Sequence, residues 1–161
     1  MHLPLTRRTG TALTAVVTAA LAFTGATAGP AAAADPVTVT LTVTASDGVV
    51  FDGEVTTTGH TVTPATGAAH LCDGTNAGAN PTAGATPTAA LDDAADGAGF
   101  DWDGVWYASF DDYLVTSIDG RPQDADHFYL LTVNGAEATV GGCQLLLDEG
   151  DEVAFTWTEI G

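Results

Sequence analysis

"HFYLLTVNGAEATVGGCQLLLDEGDEVAFTW", residues 127–157, is the stretch on which the fold turns. Its first seven residues are rich in strand formers and run directly into Asn134-Gly135. That dipeptide is the strongest short hairpin signal, because both central residues of the tightest hairpin turn take positive φ. Residues 136–140 are therefore expected to pair back. Further on, Val153, Phe155 and Trp157 fall on one side of an alternating run, with Ala154, Thr156 and Thr158 on the other. That is the period of a half-buried strand. Leu145 and Leu147 also lie two apart, so 143–147 is read as a strand too. Asp148, Glu149, Asp151 and Glu152 then sit at the connection, around Gly150. Asp and Gly are turn residues for good local reasons, and a catalytic carboxylate pair needs burial or a neighbour to separate its two pKa values. The four acids are read as a solvated turn, not a site.

The same signals recur upstream. In "PVTVTLTVTA", residues 36–45, valine and leucine alternate with threonine, which predicts a strand with one wet face. "SDG" at 46–48 turns the chain and "VVFDGEVTT" resumes strand chemistry, so a hairpin is expected, with a bulge or bend at Gly53. "HTVTP" is a short extension. Residues 65–86, rich in Gly, Ala, Asn and Thr, read as a long loop. Thr86 and Pro87 then carry cap and first-turn chemistry for a short helix that Gly97 should end. "VWYASF" and "YLVTSI" are further strand candidates, and Asp119-Gly120 is a turn.

The N-terminus reads as an export signal. Arg7 and Arg8 precede an apolar stretch from Leu13 to Phe23, and small residues at 31–34 place cleavage between Ala34 and Asp35. The general secretory route is favoured over the twin-arginine route, and no lipid anchor or membrane insertion is expected. The remaining residues, 35–161, form a single domain of 127 residues, enough for an ordinary core. They set Arg121 alone against 21 carboxylates, a net charge of −20. Nothing in such a chain neutralises phosphate, so nucleic acid and anionic membranes are excluded as partners. Cys72 and Cys143 make an even count in an exported chain, which predicts one disulfide that ties down the long loop.

"YLVTSIDG", Phe128–Gly135 and Gly150–Val153 together resemble the transcobalamin-like C-terminal domain, a family of unknown function in bacterial exported proteins. The strand ending in "VNG" and the closing "GDEV" strand carry the resemblance, which covers most of 37–158. "CDGTNAGANPTAGATPT" and "GGCQ" resemble a subgroup of small secreted members and would supply the disulfide. The resemblance implies an α+β, mostly β fold: a β-grasp-like antiparallel or mixed sheet with one short helix and one long loop. In vertebrate cobalamin carriers the similar domain lies against the corrinoid, beside a helical domain that this sequence lacks.

"FDWDGVWYASFDDY", residues 100–113, is the most suggestive stretch for a ligand. Trp102, Trp106 and Tyr107 offer planar area beside Asp103, the combination that stacks on flat ligands. These four are the candidate binding residues, set against the plainer reading that Trp106 and Phe110 are core. Asp101, Asp103 and Gly104 open like a calcium loop, but the later ligands are missing. His60, His70 and His127 lack metal-ligand spacing, Asp111-Asp112 is a weak catalytic pair because strand neighbours face opposite sides, and no nucleophile motif is present. The expectation is a secreted, monomeric, non-catalytic binding module for a small molecule, glycan or surface protein, without catalytic residues, metal ligands or cofactor. The alternatives are a metal-dependent or hydrolytic enzyme built on Asp and His, and a structural cell-envelope protein.

Overall fold

The computed structural model describes residues 34–161. The stretch read from the sequence as an export signal lies outside the described residues, except for Ala34 at the expected cleavage position. Ten strands and one helix follow: β1 (Val37–Ala45), β2 (Gly48–Thr57), β3 (His60–Val62), β4 (His70–Cys72), α1 (Pro87–Ala98), β5 (Trp102–Tyr107), β6 (Asp112–Ile118), β7 (Arg121–Pro122), β8 (His127–Val133), β9 (Ala136–Glu137) and β10 (Glu152–Glu159).

These strands build three sheets, which corrects the single β-grasp-like sheet expected from the sequence. One sheet is five-stranded in the order β2-β1-β10-β8-β9, one is the β3-β4 pair, and one is β5-β6-β7. The chain is mostly β, with a single helix among the described residues. The long loop is also shorter than expected, because His70–Cys72 pairs with His60–Val62 inside it.

The five-stranded sheet closes through a long-range contact. β1 lies parallel to β10, with Leu41 opposite Val153 and Val43 opposite Phe155. β10 pairs antiparallel with β8 on its other side. Val39, Leu41, Val43, Val153 and Phe155 are almost fully buried on the inner face. The helix packs there through Ala89, Ala90, Leu91, Ala94 and Ala95, small side chains that let its backbone approach closely. Thr86 caps it as read from the sequence, its hydroxyl accepting from Ala89 N–H at 3.2 Å. The helix runs through Gly97 and ends at Gly99, which takes the left-handed conformation at φ 79°. The bulge in the first hairpin falls at Val43/Thr44 rather than at Gly53, which pairs regularly with Leu41.

The segment 143–147 is not a strand, contrary to the sequence reading. It crosses the molecule as irregular chain, with Leu147 buried, Leu146 exposed and Leu147 N–H donating to Ala85 C=O at 2.9 Å. The acids do form a turn, but a hydrogen-bonded one. Glu149 accepts from Thr38 N–H at 2.7 Å, and Asp151 accepts from Asn134 Nδ2 at 2.9 Å and Asp148 N–H at 2.8 Å. Gly150 holds φ 84° with open space where a Cβ would stand. Gly150→Val should therefore lower stability by about 1–3 kcal/mol through backbone strain alone. Gly150→Asn should cost less, since Asn tolerates that region. Urea unfolding of the two variants checks the order.

Arg121, the only lysine or arginine after Ala34, is shared between two turns. Its guanidinium pairs with Asp47 between β1 and β2 and with Asp119 between β6 and β7.

Candidate functional site

The aromatic stretch of the sequence divides between two environments. Trp102 is core, 3% exposed, and its indole N–H donates to Asp92 Oδ1 at 2.7 Å. Trp106 is half-buried, stacked on His70 with ring centroids 4.0 Å apart and set edge-on to Tyr113. Asp103 is occupied locally. It accepts from Thr66 N–H and hydroxyl and from Gly104 N–H, which pins the 64–67 loop to β5. Tyr107, at the end of β5, is the one of the four candidates whose ring faces solvent broadly, 45% exposed. The structure thus does not bring Trp102, Trp106, Tyr107 and Asp103 together.

Tyr107 belongs instead to a groove that sequence reasoning did not assemble. Its ring lies near Phe110, 62% exposed on the turn between β5 and β6, with centroids 6.4 Å apart. Phe110 is a turn-tip residue and not core, because the chain reverses over residues 108–111 and leaves its ring nothing to pack under. Leu114 on β6 and Val140 face the same space from the other side, and the cavity between them measures about 340 Å³. Asp112, Tyr113, Gly141 and Gln144 also line it.

Asp112 is the carboxylate of this groove, only 4% exposed. Its Oδ1 accepts from Tyr113 N–H at 2.7 Å and Cys143 N–H at 2.9 Å. Its Oδ2 meets only Gln144 Nε2, at 3.3 Å. Burial raises its carboxyl above the usual carboxylate range, opposed by the Cys143, Tyr113 and Gln144 hydrogen bonds. The adjacent Asp111 takes φ 52° and accepts from Ala77 N–H at 2.6 Å, which holds the turn against the long loop.

The Gly141-Gly142 pair explains how a wall of irregular chain comes so close. A Cβ on Gly141 would stand 1.7 Å from Asp112 Oδ2, and one on Gly142 would stand 2.3 Å from Thr88 Oγ1. Neither position admits a side chain without displacing its neighbour. The disulfide Cys72–Cys143, expected from the sequence, anchors the next residue with Cα atoms 4.5 Å apart. The sequence signal for this wall was "GGC", visible as small residues but without a period to say what they approach.

A second polar cluster lies under the helix. His60 Nδ1 donates to Thr58 C=O at 2.9 Å, and His60 Nε2 meets Asp92 Oδ2 at 3.3 Å. Asp92 also accepts from Thr63 N–H and Trp102 Nε1. With both ring nitrogens donating, the imidazolium is favoured. The Asp92 hydrogen bond leads, helped by Thr58 and Asp93 against the opposing effect of burial, and the ring is raised from 6.5 to about 9. Since the folded value lies above the unfolded one, the stabilisation is full below about pH 6.5 and is lost as pH rises through about 9. It should amount to about 1–2 kcal/mol after allowance for solvent screening. His60→Ala should flatten the stability profile in that window, and NMR titration of the ring should follow the same midpoint. This cluster is a structural tie between β3 and α1, with Asp92 Oδ1 taking two donors and Oδ2 meeting the His60 ring.

Residues 101–159 match the model of a domain of unknown function (DUF4430). The match covers β5 to β10 and so takes in both walls of the groove. It leaves out β1, the parallel partner of β10, and Cys72, the partner of Cys143. No curated protein matches the chain.

Proposed function

We propose that this chain is an exported, non-catalytic binding module whose site is the groove between the β5–β6 turn and residues 139–144. The carrying observation is the convergence of four exposed apolar side chains, Tyr107, Phe110, Leu114 and Val140, on one buried carboxylate. Scattered exposed apolar residues are ordinary; a concave group of them around a fixed polar atom is what ligand sites look like. The volume fits a small ligand or one ring of a larger one. The disulfide supports an oxidising compartment, in keeping with the N-terminal export pattern.

The test is Phe110→Ala. The ring is mostly exposed, so stability should stay within about 0.5 kcal/mol of the parent. Binding of small flat aromatic fragments, mapped by amide chemical shifts, should weaken about tenfold or more, as loss of a stacking partner implies. Fragments that perturb no groove resonance, or that bind the variant equally well, would overturn the assignment.

A further inference from the structure

The geometry points to an organic cation as the groove's ligand: an apolar ring held between Tyr107, Phe110, Leu114 and Val140, with an ammonium N–H donating to Asp112 Oδ2. This rests on the groove being the binding site, and adds the chemical class it selects. The argument begins with unequal use of the two Asp112 oxygens. Oδ1 already takes two backbone N–H donors, at 2.7 and 2.9 Å. Oδ2 has one long contact from Gln144 at 3.3 Å. A carboxylate oxygen accepts about two hydrogen bonds, so Oδ2 keeps acceptor capacity, and Asp112 is among the residues that line the apolar groove. A buried acceptor left short of donors is costly, and a ligand that supplies the missing donor gains what water supplies poorly there.

Charge decides between the donors. A neutral hydroxyl or amide N–H satisfies the geometry, but an ammonium also satisfies the carboxylate's charge, and charge-assisted hydrogen bonds are roughly twice as strong. Among the described residues no Lys, Arg or His lines the groove, and Arg121 is committed to Asp47 and Asp119. The net charge of −20 carried by one arginine against 21 carboxylates repels anions and draws cations. The electron-rich faces of Tyr107 and Phe110 favour a cation further. A groove of about 340 Å³ is at the small end of ligand sites, which suits a one- or two-ring amine and not a folded partner.

Three probes with the same ring separate the possibilities: 2-phenylethylamine, 2-phenylethanol and phenylacetate, each titrated into the disulfide-bonded protein and followed by amide shifts of Tyr107, Phe110, Val140 and Gln144. The amine should bind about tenfold or more tighter than the alcohol, the advantage expected of a charged hydrogen bond, and phenylacetate should bind weakest. Asp112→Asn should bring the amine down to the level of the alcohol. Glu149→Gln removes the same charge at a distant turn and should leave the preference intact. Equal binding of amine and alcohol at the groove would overturn the cation inference while leaving the groove as the site. So would a preference lost equally in Glu149→Gln, which would mark diffuse attraction. Should Asp112→Asn fail to fold, the order of the three probes on the parent protein decides alone. If no probe moves the groove resonances, the site assignment itself falls.

Discussion

Trp102→Ala is expected to cost about 3–5 kcal/mol, a large part of the 5–15 kcal/mol that holds a typical domain together. The indole is 3% exposed and stands edge-on to Tyr113 with centroids 5.3 Å apart. Removing it opens a cavity between α1 and the β5–β6–β7 sheet. It also takes from Asp92 its shortest hydrogen bond, 2.7 Å, and leaves a buried carboxylate oxygen with only the Thr63 N–H at 3.2 Å. Trp102→Phe separates the two effects. It keeps most of the volume and loses the donor, so its cost should be about 1–3 kcal/mol, the range for an orphaned buried acceptor. Urea denaturation followed by circular dichroism gives both numbers. If Trp102→Ala falls within about 1 kcal/mol of the parent, the indole is not core and the whole placement of β5 is wrong.

That residue also marks where the sequence stopped being legible. Alternation predicts a strand around Trp106, but Trp102, Gly104 and Trp106 share a parity with the core side while Tyr107 does not, and the register shifts between Asp103 and Gly104. A cluster of aromatics in sequence is therefore two groups in space. Much local chemistry was legible: the Thr86-Pro87 helix start, the Asn134-Gly135 turn with φ 53° and 73°, and the Asp119-Gly120 turn with φ 50° and 70°, though not the helix end or the bulge of the first hairpin. Each needs only neighbouring residues to be understood. What failed was pairing at a distance. Two leucines two apart suggested a strand at 143–147, yet the partners of β10 are β8 and, from the far end of the chain, β1. With both sides of β10 filled, residues 143–147 could not pair with it. The split into three sheets escaped the sequence for the same reason. The groove is half legible: Tyr107 stands out for its ring, whereas Phe110 reads as core on the plainer of its two readings and Val140 sits among small residues with no period to reveal its face.

Replacing both cysteines, Cys72→Ser with Cys143→Ser, should cost about 2–5 kcal/mol, the range for native disulfides in small exported domains. The bridge closes a span of 71 residues, worth about 4 kcal/mol if the effect is loop entropy in the unfolded chain. Its second consequence is local. Residues 141–144 have no strand partner and are held by Gly74 N–H to Cys143 C=O at 3.1 Å, Thr88 N–H to Gly142 C=O at 3.2 Å, Cys143 N–H to Asp112 Oδ1 at 2.9 Å and Gln144 Nε2 to Phe110 C=O at 2.8 Å. Without the bridge these few bonds must keep one wall of the groove and one donor of Asp112 in place. Groove binding should therefore fall in the double variant even at temperatures where it remains folded, and amide exchange should quicken at 141–144 before it quickens in β10. Both sulfurs belong to cysteines at most 2% exposed, so a mild reductant should leave the bridge intact until the domain is unfolded. Peptide mapping without reduction tests the pairing itself: two free thiols would refute it. A double variant that binds as tightly as its parent while melting earlier would show instead that the backbone bonds alone hold the wall, and that the disulfide acts on the unfolded chain only.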